Sequence, residues 1–253
     1  MPDCVGFQGL TIIYAAPADV WDPRRRAMRL AMLSSHEMAR FLRLRSVADR
    51  DLFLASHVLV REALSTRADV EPADWQFEAG PHGRPEIAAP ESDLRFSLSH
   101  TRGLAACVVS GGCEVGIDVE DASRRWSAGL AERVLSDSER HDLLTAPGGE
   151  QQTRFLEYWT LKEAYLKARG IGLACSLQEI SFYRRDARWH VEFAAGADDD
   201  PRRWRFESWL VDPVHQAALA VTIDNVPGEP HPCDEHERPH PVARAHVPRR
   251  LGA

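Results

Sequence analysis

Val115-Gly116-Ile117-Asp118-Val119-Glu120 alternates without a break. Successive side chains of a strand point to opposite faces, so Val115, Ile117 and Val119 share one face and Gly116, Asp118 and Glu120 the other. The first face suits a core. The second carries two carboxylates two residues apart, which can converge on a hard cation through oxygen ligands. Gly116 beside them leaves room for a bulky ligand. An ordinary edge strand with a wetted face reads the same way, so the neighbouring segments decide its meaning.

Gly111-Gly112 breaks the chain just ahead of this strand and sets a boundary between two halves, 1–112 and 113–225. In the first half, Leu10–Tyr14 reads as a strand, and Ser34-Ser35-His36-Glu37 as a helix start. A second helix spans Val47–Leu64, with Leu52, Leu59 and Leu64 inward. Gly80–Pro85 is a loop, and strands follow at Arg95–Ser99 and Leu104–Ser110. In the second half, Ser136 and Glu139 form a capping box for a helix to Thr145. The helix Gln151–Ala168 is stopped by Gly170 and Gly172. Strands are expected around Ile180–Tyr183, Trp189–Phe193, Trp204–Trp209 and Ala217–Ile223. Both halves run strand, helices, strands, which points to a duplicated α+β fold, although no repeat is visible residue by residue. Proline then interrupts all periodicity, and 226–253 is expected to be a disordered tail. Its His231, Cys233, His236 and His240 lack metal-ligand spacing.

The chain has 253 residues, 44% hydrophobic and 27% charged, enough for a core without disulfide or metal staples. A net charge of −7 argues against general nucleic-acid binding. No apolar run is long enough for a membrane span, and no basic segment precedes an apolar stretch at the N-terminus. Five scattered cysteines without a CxxC pair suit a reduced, cytoplasmic protein. Ten arginines between Arg24 and Arg67, against Glu37, Asp49, Asp51 and Glu62, make one region locally basic. A solvated helix surface accounts for most of them.

Of 31 basic residues only Lys162 and Lys167 are lysine. A compact ammonium rather than a planar fork is thus kept in one short segment. Glu163 and Lys167 stand one helical turn apart, either as a surface pair or as an oxygen ligand or base beside a phosphate-binding lysine. Phe96-Ser97-Leu98-Ser99-His100-Thr101 ends a strand in a polar triplet whose histidine suits a capped core residue, a base or a phosphate contact. GxSxG, Walker A and GxGxxG patterns are absent.

Taken in order, these segments resemble the Sfp-type 4′-phosphopantetheinyl transferase family. Val115–Glu120 and Trp159-Thr160-Leu161-Lys162-Glu163-Ala164-Tyr165-Leu166-Lys167 are similar to its G-(I/V)-D-(I/V)-E and W-(S/T)-x-K-E-(S/A)-x-x-K signatures. Phe96–His100, Val58–Arg61 and Gly83-Arg84-Pro85 are similar to three further elements, and the likeness spans roughly Phe41 to Phe182. The resemblance implies transfer of the phosphopantetheine arm of coenzyme A to a serine of an apo acyl or peptidyl carrier protein, releasing adenosine 3′,5′-bisphosphate. It implies Mg²⁺, or Mn²⁺, held by Asp118, Glu120 and Glu163. Arg61 and His100 would meet the 3′-phosphate, Arg84 and Pro85 the adenine end, and Lys162 and Lys167 the phosphates, with Ser99 and Thr101 also at the coenzyme. Glu163 or another carboxylate at the metal would accept the serine proton, with Asp118 and Lys167 also catalytic. The implied architecture is a cytoplasmic monomer of two pseudo-twofold-related halves with the site between them. Arg84 stands where the family commonly has lysine. A metal-dependent phosphohydrolase and a non-catalytic carrier-binding module are the competing expectations.

Overall fold

Leu10–Ala15 (β1) opens the computed structural model, which describes residues 10–16, 23–80, 83–172 and 175–223. The expected tail, with its histidines and Cys233, lies outside the described residues. Helices α1 (Pro23–Ala31), α2 (Ser35–Arg43) and α3 (Val47–Ser65) follow, then strands β2 (Gln76–Ala79), β3 (Pro85–Ala89), β4 (Leu94–Thr101) and β5 (Leu104–Gly111). The second series is β6 (Val115–Asp121), α4 (Ala128–Val134), α5 (Asp137–Thr145), α6 (Gln151–Arg169), β7 (Ile180–Arg185), β8 (Arg188–Phe193), β9 (Trp204–Asp212) and β10 (His215–Thr222). Helices α1 and α4 and the β2–β3 hairpin were not expected from the sequence.

Local chemistry sets the boundaries. Ser34 with Glu37, and Ser136 with Glu139, close reciprocal capping boxes on α2 and α5, which satisfies amide groups the first helical turn leaves unpaired. Helix α6 ends where Gly170 takes the left-handed conformation, φ 65°.

The two series share a strand arrangement, although the sheets have three and five strands. Strand order is β1-β5-β4 in one and β6-β10-β9-β8-β7 in the other. In each, the last strand lies between the first and the one before it, and a 19-residue helix intervenes after the first strand. The repeat is therefore one of topology. Ala105, Cys107 and Val109 of β5 face α3, while Leu104, Ala106 and Val108 face the second sheet. Val115, Ile117 and Val119 meet them from β6, and Ala218 and Ala220 of β10 pack under α6. The result is a helix–sheet–sheet–helix stack, an α+β fold in which the central strands β5, β6 and β10 bury both faces. Among the described residues no helix is long and apolar enough to cross a membrane.

Gly116 has a different task from the one expected. A Cβ there would lie 2.0 Å from the Ala164 carbonyl oxygen and 2.5 Å from the Ala168 nitrogen. Glycine lets α6 lie directly on β6, rather than opening the strand to a ligand.

Candidate active site

That close approach builds the site. With Ala164 pressed onto Gly116, Glu163 and Lys167 overhang Asp118 and Glu120 farther along β6. The C-terminal half thus supplies one wall of a cleft of about 470 Å³, and Arg84, Pro85 and the β4 stretch Phe96–His100 supply the other.

Lys167 Nζ donates to Asp118 Oδ1 at 2.6 Å and to Ser99 Oγ at 2.7 Å, while Ser99 Oγ donates to the same Asp118 oxygen at 2.8 Å. Asp118 Oδ2 is buried and has no hydrogen-bond partner among the described residues. Glu120 Oε1 accepts from the Trp159 indole at 2.8 Å and from the Arg124 guanidinium, which lies 4.7 Å over the Trp159 ring. Burial, then the Asp118 charge, raise the pKa of both Glu120 and Glu163, and Glu120 adds to the effect on Glu163. Among the described residues these side chains do not close into a three-ligand metal set. Arg124 and Trp159 hold one oxygen of Glu120, and Lys167 and Ser99 hold one of Asp118. The donor chemistry nevertheless fits a hard divalent cation. An unpartnered carboxylate oxygen and three mutually repelling carboxylates are relieved by positive charge between them.

His100 follows Ser99 at the cleft's mouth. Although His100 is solvent-exposed, its surroundings lower its pKa, through burial, then the charge of Lys167, with His57 and Arg40 adding to the effect. Positive charge thus converges here, as an anion site requires. Arg84 turns its guanidinium to main-chain carbonyls, those of Phe96 at 2.7 Å, Lys167 at 2.8 Å and Ala168 at 3.1 Å. It joins β4 to the carbonyl end of α6, where the helix dipole favours a cation. Pro85 lines the cleft beside it.

Three of the residues expected at the ligand do not line the cleft. Lys162 is fully buried and binds Glu139 at 2.7 Å and the carbonyls of Leu177 and Ile180, away from the cleft. Five residues of helix separate Lys162 from Lys167, a rotation of about 140°, so the two lysines cannot share a face. Arg61 is 2% exposed and turns to Glu37 at 2.8 Å. Thr101 Oγ1 accepts from the Asp121 amide at 3.2 Å and does not line the cleft. The sequence reading gave Trp159 and Arg124 no part in the site. The indole opens the Trp159–Lys167 segment and could have been noticed there, whereas Arg124 carries no local signal.

A family model described as the 4′-phosphopantetheinyl transferase superfamily matches residues 114–222. The 4′-phosphopantetheinyl transferase ffp of Bacillus subtilis is 30% identical over 200 residues, covering 78% of this chain and 86% of its own. The chain belongs to the 4′-phosphopantetheinyl transferase superfamily. HetI of Nostoc sp. (strain PCC 7120), also named a 4′-phosphopantetheinyl transferase, is 38% identical over 153 residues, 59% of this chain and 64% of HetI. Sfp of Bacillus subtilis (strain 168), of the same name, is 28% identical over 176 residues, 69% of this chain and 75% of Sfp. The relatives are named as transferases, and the phosphohydrolase expectation finds no support among them. The protein is an enzyme of this transferase family.

Proposed function

We propose that the protein moves the 4′-phosphopantetheine arm of coenzyme A to a serine of an apo acyl or peptidyl carrier protein and releases adenosine 3′,5′-bisphosphate. The observation that carries this reading is the convergence of Asp118, Glu120, Glu163, Lys167 and His100 on one cleft. Asp118, Glu120 and Glu163 would hold Mg²⁺ or Mn²⁺, which neutralises charge on a pyrophosphate and polarises its oxygens. Lys167 places an ammonium beside Asp118, where it binds phosphate oxygens and favours departure of the leaving phosphate. Glu163, beside the expected metal position, takes the proton of the carrier serine directly or through water. The serine oxygen forms the new bond to phosphorus as the bond to the departing nucleotide breaks, in line. His100 meets the 3′-phosphate, and Pro85 packs at the adenine end.

Carrier proteins are acidic. The exposed Arg40, Arg43 and Arg45 at the end of α2 and in the following loop would steer one inward despite the overall negative charge. The reading includes action as a cytoplasmic monomer, without nucleic acid or membrane, in fatty-acid, polyketide or nonribosomal-peptide synthesis. Mass spectrometry of an apo carrier protein after incubation with coenzyme A and Mg²⁺ tests it. The carrier should gain the phosphopantetheine mass with wild type and not with Asp118→Ala. An unmodified carrier, or free hydrolysis products alone, would overturn the transfer reading, and an active Asp118→Ala would remove the metal site.

A further inference from the structure

Strand β6 pairs with β10 on one edge only. Its other edge meets β4 through side chains. The Ile117 amide donates to Ser97 Oγ at 3.2 Å, the Val119 amide to Ser99 Oγ at 3.3 Å, and the Asp121 amide to Thr101 Oγ1 at 3.2 Å. Each rung joins residues twenty apart, so the two strands run side by side in fixed register. A direct main-chain ladder would draw strands to about 4.8 Å. A hydroxyl inserted at every second residue satisfies the amides of an edge strand while holding the strands farther apart. Asp118 and Glu120 lie between the rungs.

We infer that Ser97 and Thr101 are positioning residues for the transfer reaction: through the amides of Ile117 and Asp121 they set the register of Asp118 and Glu120 against the opposite wall. The inference rests on the transferase reading above. Neither hydroxyl needs to touch substrate. Ser97 is 5% exposed, and its Oγ accepts from the buried Ile117 amide. Thr101 closes the ladder next to Glu120. Ser99 forms the central rung, but it also binds Asp118 and Lys167 directly, so its loss would not isolate register from contact.

The test uses the full chain with Ser97→Ala and Thr101→Val, and the hydroxyl-restoring Ser97→Thr and Thr101→Ser. Transfer kinetics, calorimetric titration of Mg²⁺ with coenzyme A present and carrier absent, and thermal melting are compared. Groups that orient metal ligands typically change affinity or activity by 10–100-fold, so each hydroxyl-free variant should bind Mg²⁺ about tenfold more weakly and lose kcat. The hydroxyl-restoring pair should recover both. Folded hydroxyl-free variants with wild-type Mg²⁺ affinity and kcat, altered only in melting temperature, would overturn the inference while the transferase reading stood. If Ser97→Ala does not fold, Thr101→Val at the less buried end decides alone. A wild type that fails to modify any carrier would remove the reading and the inference together.

Discussion

Ser34 with Glu37 in the N-terminal half, and Ser136 with Glu139 in the C-terminal half, start a short helix with the same reciprocal cap. In both halves the glutamate turns inward and meets a cation on the 19-residue helix, Arg61 on α3 and Lys162 on α6. The outcomes differ. Lys162 has three acceptors for its three protons: Glu139, the Leu177 carbonyl at 2.6 Å and the Ile180 carbonyl at 2.5 Å. Burial outweighs the lysine charge at Glu139, whose pKa goes up. Arg61 spreads over Glu37, the His57 carbonyl and the face of Phe77, and its buried Nε finds no partner among the described residues. Glu37 is less enclosed. Burial opposes its ionisation, but hydrogen bonds from His57, the Ser34 amide and Arg61 bring its pKa down to about 2. A point charge can be satisfied in a closed pocket that a planar five-donor fork cannot fill. The lysine pair is a closed lock, whereas the arginine pair leaves a buried donor unmet.

The lock should carry the larger stability effect. Lys162→Met leaves Glu139 buried without its counter-charge and should cost about 3–5 kcal/mol in urea unfolding. Adding Glu139→Leu should recover at least half of that, because an apolar pair needs no compensation. A loss below about 1 kcal/mol for the single variant would mean that Glu139 takes up a proton without penalty and the pair is no lock.

Arg61→Met tests the other half. Glu37 keeps His57 and some solvent contact, so the loss should be smaller, about 2 kcal/mol. With Arg61 committed to Glu37, the preference for coenzyme A over dephospho-coenzyme A should stay within twofold of wild type. A collapse of that preference would show that Arg61 leaves Glu37 for the 3′-phosphate, and the contrast between the halves would fail.

Much of this architecture is legible in the sequence because its signals are local. Both capping boxes are four-residue patterns, Gly170 ends α6 by its own backbone freedom, and the alternation of Val115–Glu120 assigns both faces of β6. Glu163 and Lys167 share a face by helical spacing alone. What stayed hidden depends on partners distant in the chain. Glu37 is 24 residues from Arg61, and nothing near Arg61 announces it. Gly116 looks like room for a ligand until α6 is laid across it. Lys162 is separated from Lys167 by helical rotation alone, and it turns to Glu139 while Lys167 turns to Asp118. Ser97, Ser99 and Thr101 alternate visibly, but only the position of β6 shows what their hydroxyls accept.

The seam between the halves has its own ion pair. His215 Nδ1 lies 2.7 Å from Asp212 Oδ2, and its Nε2 lies 2.9 Å from the Arg102 carbonyl on the β4–β5 turn. Both neighbours are acceptors, so both ring nitrogens donate only when the imidazole is protonated. Burial lowers its pKa, but the Arg102 carbonyl, the Asp212 carboxylate and the charge of Asp121 outweigh that and raise it above the ordinary 6.5. Arg102 is the cation nearby, and Asp121 and Asp212 have lowered pKa values that keep them ionised in mild acid. A group with a raised folded-state pKa contributes stability that is fully present below its unfolded pKa and is lost as pH rises through the folded value. Wild type should therefore exceed His215→Gln by about 1 kcal/mol near pH 5.5, after allowance for solvent screening, and the gap should narrow as pH rises through the raised folded-state value. Urea unfolding of both proteins across that rise measures it. A gap that is constant with pH would mean that His215 packs as a neutral ring, leaving the hydroxyl ladder and Arg84 to join the halves without help from charge on this histidine.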